Sequence, residues 1–191
     1  MKVTLFKTAL LATVLASSSL VSSTYAADYV IDTQGAHASI NFKIKHIGFS
    51  WLTGRFNTFD GQFSYDENNI AASKITVNID TSSVDTNHDK RNKHIRSDDF
   101  LDVSKYATAK FVSTKVTDNG DGKLAITGDL TLHGVTKSLV IAAEKVGEGK
   151  DPWGGERIGF SGTTKLSMQD FGIKTNFGEI FFDLHLEGIK Q

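Results

Sequence analysis

The sequence predicts an all-β fold: an eight-stranded antiparallel barrel with a short helix between the third and fourth strands. Three observations carry this expectation. Apolar and polar residues alternate with period two over most of the chain, the pattern of half-buried strands. Glycine- and asparagine-bearing turn signals separate the alternating runs. Eight long strands left as an open sheet would expose two long edges, and closing the sheet removes them.

Taken in order, the first strand is expected over 36–45, where Ala38, Ile40, Phe42 and Ile44 alternate with Ser39, Asn41, Lys43 and Lys45. The second covers 54–65. Its phase breaks, because Phe56 and Phe59 have opposite parity; a bulge near Asn57-Thr58 would re-aim it, and a hairpin at Asp60-Gly61 is the alternative. In the third, 73–84, Ile75, Val77 and Ile79 share a face. The fourth covers 107–117. In the fifth, 123–133, Leu124, Ile126, Leu130 and Leu132 share one parity, with Gly128 in the gap. The sixth covers 136–147, and in the seventh, 156–168, Ile158, Phe160, Leu166 and Met168 align. In the eighth, 179–189, Ile180, Phe182, Leu184 and Leu186 face away from Phe181, Asp183, His185 and Glu187. Together these strands take more than half of the residues after 26, well above the usual share. Asp118–Gly122 and His133-Gly134 read as hairpin turns, and Asp151–Gly155 as a longer loop that holds the single proline. His46 to Leu52 reads as a short helical or irregular crossing. Asn87 to Ile95 reads as a short helix with Asn87 as its N-cap and Asp89 in the first turn.

Residues 1–26 are expected to be a signal peptide rather than part of the fold. Lys2 and Lys7 precede a short apolar run at 9–15, and the small residues Thr24 and Ala26 suit cleavage after Ala26. That run is shorter than the roughly 20 residues a membrane helix needs. The domain is then 27–191. Of the chain's 21 basic residues, Lys2 and Lys7 leave with the leader, so 19 remain against 22 acidic ones. This balance excludes a strongly basic nucleic-acid binder. Cysteine is absent, which excludes disulfides, thiol catalysis and cysteine-held zinc or iron–sulfur centres. A secreted chain without cysteine fits a bacterial periplasm better than an animal extracellular module. The polar outward parity argues against a membrane barrel, so an integral membrane protein is not expected. The 13 phenylalanines demand a large apolar interior or an apolar ligand.

Several stretches resemble the YceI-like family. They are His37–His46, Gly54–Phe56, Phe59–Gly61, Ser83–Thr86, Arg91–Ser97 with Asp99-Phe100, Thr127–Lys137 and Asp151–Gly154, and the likeness runs from about residue 28 to 190. The resemblance implies a lipocalin-like barrel that holds a long isoprenoid, such as a polyprenyl diphosphate or a quinone tail, and it implies no catalysis. The chain departs from the family pattern at Asn92, where Asp is common, and at Ala107 and Ser138, where Pro is common. The stretch 177–180 before the last strand is also shorter than expected.

The candidate ligand site is the barrel interior. Ile40, Phe42, Ile44, Ile75, Val77, Leu130, Phe160, Phe182 and Leu184 share the inward parity and offer an apolar wall, which is all that a hydrocarbon tail requires. An ordinary packed core is the competing reading, with Gly128 and Gly162 as the places where space is expected. His46, Phe49, Trp51, Phe100 and Trp153 lie in irregular segments that close or flank an end; of these, His46, Trp51 and Phe100 are taken into the site. Arg91 and His94 share a helical face with Ile95 and are the candidates for an anionic head group, against simple pairing with the nearby aspartates.

Enzyme signals are poor. Gly48–Leu52 begins like a nucleophile elbow but lacks the closing glycine, and none of the six histidines is paired at the i, i+4 spacing of a zinc helix. No cofactor and no metal is expected. The leading expectation is a periplasmic binding or carrier protein for a long isoprenoid lipid. A hydrolase or isomerase acting on a lipid in the same pocket is the alternative, as is a stress-related binder of another long-chain amphiphile. The oligomeric state is open, with a dimer among the options.

Overall fold

The computed structural model describes residues 26–175 and 177–191, so apart from Ala26 the expected leader lies outside the described residues. The strands are β1 (Ala27–Ile31), β2 (Ser39–His46), β3 (Ser50–Phe56), β4 (Phe59–Tyr65), β5 (Lys74–Asp80), β6 (Val84–Asp85), β7 (Thr108–Asp118), β8 (Lys123–Leu132), β9 (Val135–Lys150), β10 (Glu156–Ser167) and β11 (Glu179–Lys190), and one helix, α1, covers Asp89–Arg96. Hydrogen bonding runs β1-β4-β5-β7-β8-β9-β10-β11 and returns to β1, all antiparallel, which closes an eight-stranded barrel.

Two of the eight staves are interrupted. β11 pairs with β1 through residues 188–190 and with β2 through 180–185, so β1 and β2 are successive pieces of one stave. β4 pairs with β1 and β3 with β2, which makes β3 and β4 the pieces of the next. The phase break between Phe56 and Phe59 marks that second interruption, at Asn57-Thr58. Ser83 bridges the gap: its carbonyl accepts from the Asn57 amide at 3.2 Å and its Oγ from the Thr58 amide at 3.0 Å. Asp60 and Gly61 sit mid-strand opposite Asn78 and Val77, so the chain does not turn there.

The crossing expected over His46 to Leu52 is instead a hairpin. Lys45 pairs with Trp51 and His46 with Ser50, and the Phe49 amide donates to the His46 carbonyl at 3.0 Å. Ile47 (φ 53°) and Gly48 (φ 83°) both have positive φ, the sign pattern of a type I′ turn. That turn favours Asn-Gly, and a β-branched residue in its first central position hides it from the sequence. The expected His133-Gly134 turn has the same signs, 51° and 75°, and joins β8 to β9.

The helix starts one residue later than expected. Its N-cap is His88, whose Nδ1 accepts from the Arg91 amide at 3.2 Å, while Asn87 takes a left-handed φ of 58°. Buried Asn92 locks α1 to the chain beside β6. Its Oδ1 accepts from the Thr86 amide at 2.8 Å and the Thr86 hydroxyl at 2.6 Å, and its Nδ2 donates to Asp85 Oδ1 at 2.9 Å. This is the physical reason for an amide at position 92. A carboxylate would accept both Thr86 bonds but would meet Asp85 with no proton to offer. Asn92→Asp is therefore expected to cost about 1–3 kcal/mol at neutral pH. Part of that loss should return near pH ~4, where the two carboxyls can share a proton; thermal melts at the two pH values check it.

The inward parity of the strands fills one end of the barrel solidly. There Tyr29 stacks on Phe63 at 5.0 Å, and Phe160 meets Phe63 and Tyr65 edge-on at 5.8 and 5.3 Å. Ile158 beside them is almost completely buried. Inward glycines mostly make room for rings rather than voids. A Cβ at Gly128 would lie 2.3 Å from Phe111 Cζ, and one at Gly54 2.4 Å from Phe42 Cζ. The free space expected at Gly128 is thus occupied by Phe111.

A charged cluster ties the first broken stave to its neighbours at this end. Asp32, only 5% exposed, accepts from Arg157 Nη1 at 2.6 Å, and His37 Nδ1 lies 2.9 Å away. Arg157 also donates to Glu187 at 2.6 Å and, through Nε, to Asp151 at 2.7 Å.

Candidate functional site

Beyond the solid end the barrel is hollow. A cavity of about 540 Å³ runs along the axis, within the size range of small-molecule sites. Its wall is the inner face of the sheet. β2 contributes Ile40, Phe42 and Ile44; β5 contributes Ile75 and Val77; Leu130 comes from β8, Phe160 from β10, and Phe182 and Leu184 from β11. These positions meet because Ile40 pairs with Leu184, and Phe42 with both Phe182 and Gly54, across adjacent strands. The ring of Phe42 lies 5.8 Å from Phe56 and 6.2 Å from Phe182.

The cavity opens at the end that carries α1 and the β2–β3 turn, where its lining passes into the exposed residues His46, Ile47 and Phe177. Arg91, His94, Ile95 and Phe100 also border it there. Phe100 stacks on Phe177 at 6.0 Å and meets the His94 ring edge-on at 4.9 Å. His94 Nε2 lies 3.1 Å from Asp99 Oδ2. Arg91 donates through Nε to the Thr86 hydroxyl at 2.8 Å and through Nη2 to the Thr86 carbonyl at 2.7 Å, so its guanidinium also fastens α1. At the blind end the lining includes Tyr65 and Ser73. Burial raises the Tyr65 phenol above its ordinary pKa, which keeps it neutral. The buried Ser73 Oγ has no hydrogen-bond partner among the described residues.

Each residue expected to form the site therefore lines this cavity, with one exception. Trp51 lies on the outer face, half exposed, edge-on to Phe181 at 5.6 Å and under Lys43 and Lys45. The misplacement follows from the hairpin: pairing Lys45 with Trp51 puts both on the outward parity. Trp153 stands apart as well, 82% exposed in the loop between β9 and β10, and Phe49 is 87% exposed at the turn. The Asp151 side chain of that β9–β10 loop is committed to Arg157 and to the Trp153 and Gly155 amides.

Comparison with known proteins agrees with this geometry: the YceI-like domain matches residues 29–187. The chain belongs to the YceI family. A UPF0312 protein of Vibrio vulnificus is 64% identical over 168 residues, covering 87% of this chain and 89% of that protein. The Campylobacter jejuni YceI protein superposes with a TM-score of 0.69 at 31% identity, over 78% of this chain and 91% of that one. A polyisoprenoid binding domain from Saccharophagus degradans superposes with a TM-score of 0.64 at 16% identity, over 87% of this chain and all of that one.

Several YceI-barrel wall residues were not singled out from the sequence. Leu139 and Ile141 of β9 share the inward parity of their strand, a signal that would have found them, and Leu186 of β11, placed on the inward parity with Phe182 and Leu184, belongs to the wall as well. Tyr65 shares the inward parity of Phe59 and Phe63, and Ser73 that of Ile75 and Val77, whereas Phe177 reaches the cavity through the path of the loop before β11. Nothing local in the sequence announces that. Among the described residues, Asp32, His37 and Glu187 bring three ligand-type atoms within 4.8 Å of one another. The Arg157 guanidinium sits among them and supplies the positive charge, so the cluster is an ion-pair network in this fold.

Proposed function

We propose that this YceI-family chain is a periplasmic binding or carrier protein that holds a long isoprenoid lipid, a polyprenyl diphosphate or a quinone tail, inside its barrel, without catalysing a reaction. The observation that carries the reading is the cavity itself: about 540 Å³, walled by aliphatic and aromatic side chains and open at one end. Such a wall gains roughly 0.8 kcal/mol per buried CH₂ and asks nothing of the tail but length and width. The name of the Saccharophagus degradans neighbour, a polyisoprenoid binding domain, supports the choice of lipid. The leader-like N-terminus supports the periplasm. Native mass spectrometry of the protein purified from periplasm, followed by identification of the extracted lipid, tests the proposal. An isoprenoid supports it. A fatty amide or another long-chain amphiphile replaces it with the alternative binder.

Within this reading Arg91 and His94, at the mouth beside Phe100, receive the head group. A charge-assisted bond to phosphate is worth on the order of 1.5–3 kcal/mol. Arg91→Gln with His94→Gln is expected to weaken a polyprenyl diphosphate about tenfold or more and to leave a neutral polyprenol nearly unchanged. Fluorescence titration with the two ligands checks it. Because Arg91 also fastens α1 through Thr86, the single His94→Gln variant is the cleaner arm. Equal losses for both ligands would assign the pair to holding the helix.

A further inference from the structure

We propose that the mouth of the barrel docks on an anionic phospholipid bilayer through the β2–β3 turn, with Ile47, Phe49 and Trp51 entering the interfacial layer and Lys43 and Lys45 meeting the lipid phosphates. Three observations carry this. The first is where apolar surface is exposed. Ile47 is 69%, Phe49 87%, Trp51 48% and Phe177 52% exposed, and Ile47 and Phe177 are also lining residues where the cavity opens. Single exposed hydrophobes are ordinary, but several at one tip, continuous with an apolar cavity, mark a contact surface.

The second is backbone strain at the tip. Ile47 holds φ 53° in a turn whose first central position suits Asn, Asp or Gly. A β-branched residue there works against folding, so the turn gives up stability to present an aliphatic side chain to solvent. The third is charge. Lys43 and Lys45 lie 5.1 and 5.8 Å from the Trp51 ring centroid, and neither forms an ion pair among the described residues. The chain as a whole carries a net charge of −1, so attraction to an anionic surface has to be local. An exposed tryptophan flanked by lysines is the arrangement that sits at the headgroup level of a bilayer. Docked this way, the open mouth faces the acyl layer, and a tail passes between membrane and barrel without crossing water.

This inference rests on reading the cavity as a lipid site, and the two fail separately. The protein is purified after expression of the full chain, with its N-terminus fixed by intact mass. It is sedimented with vesicles of phosphatidylglycerol and phosphatidylethanolamine, or of phosphatidylcholine alone. Loading with polyprenol is measured apart, in detergent. Expected are preferential binding to the anionic vesicles and opposite effects of Ile47→Asn: a higher Tm, because Asn suits the turn, and binding weakened about tenfold. Phe49→Ser, at an unpacked position, gives the same loss without touching the turn's strained residue. Lys43→Gln with Lys45→Gln removes the anionic preference, each lysine being worth about fivefold. Unchanged vesicle binding in Ile47→Asn and Phe49→Ser overturns the docking surface, as does a wild-type dimer in solution that Ile47→Asn dissociates with no change on vesicles. Loading intact with no vesicle binding overturns the docking alone.

Discussion

Replacing Arg157 with leucine is expected to lower stability by about 3 kcal/mol at neutral pH and by almost nothing near pH ~2. The Arg157 guanidinium sits among Asp32, Asp151 and Glu187 in this cluster, and Asp32 is buried. Without the guanidinium, Asp32 keeps its desolvation cost and the Gly35 and His37 contacts but loses its strongest partner. The bond to Arg157, then that to His37, holds the Asp32 carboxyl at about 2, below its ordinary 3.8. A depressed folded value means stabilisation that is present above pH ~4 and lost as pH falls through about 2. The gap between wild type and variant should close over that window. At neutral pH the loss corresponds to a Tm lower by on the order of 10 °C for a domain of this size. Adding Asp32→Asn to Arg157→Leu should recover part of it by removing the orphaned charge. Chemical denaturation of the three proteins across the acid range decides the matter. A pH-independent difference would mean that Arg157 acts by packing its stem, not by its charge.

The same residues show what sequence could and could not convey. Barrel closure and wall parity were legible because Ile40, Phe42 and Ile44, or Phe182 and Leu184, obey a period that only a half-buried strand imposes. The short β1 was not, since five residues from Ala27 to Ile31 carry too little alternation, and their burial depends on partners at 62–65 and 188–190. The β2–β3 hairpin was hidden by Ile47, a residue that local turn chemistry disfavours, and the error carried Trp51 to the wrong face. The helix cap shifted because Asn87 spends its left-handed tolerance on the approach to α1, leaving His88 to cap. Inward parity alone also does not separate a packed wall from a hollow one. Gly128 and Gly162 look alike in sequence, yet one is covered by Phe111 and the other faces the cavity.

That contrast gives the second large effect. In the carrier reading, Gly162→Leu should fold and lose its long-tailed ligand, whereas Gly128→Leu should fail to fold stably. At Gly128 a Cβ would sit 2.3 Å from Phe111 Cζ and 2.7 Å from the Val112 carbonyl oxygen, so both ring and backbone must move. Overpacking of that kind costs about 1–3 kcal/mol or more. At Gly162 the nearest atom is the Ile141 Cγ2 methyl at 3.0 Å, the end of a side chain that can turn, and the next lie at 3.6 Å and beyond. Gly162 lines the cavity, so a leucine there extends into the space a tail would use. Its four side-chain carbons displace about as many carbons of ligand, ~3 kcal/mol at 0.8 per CH₂, or about a hundredfold in Kd. A short prenol that stops before this level of the barrel should bind as before. Titration of the folded variant with long and short polyprenols, beside thermal melts of both variants, gives the comparison. Full affinity of Gly162→Leu for the long tail would place the ligand outside the barrel and return the cavity to an underpacked core.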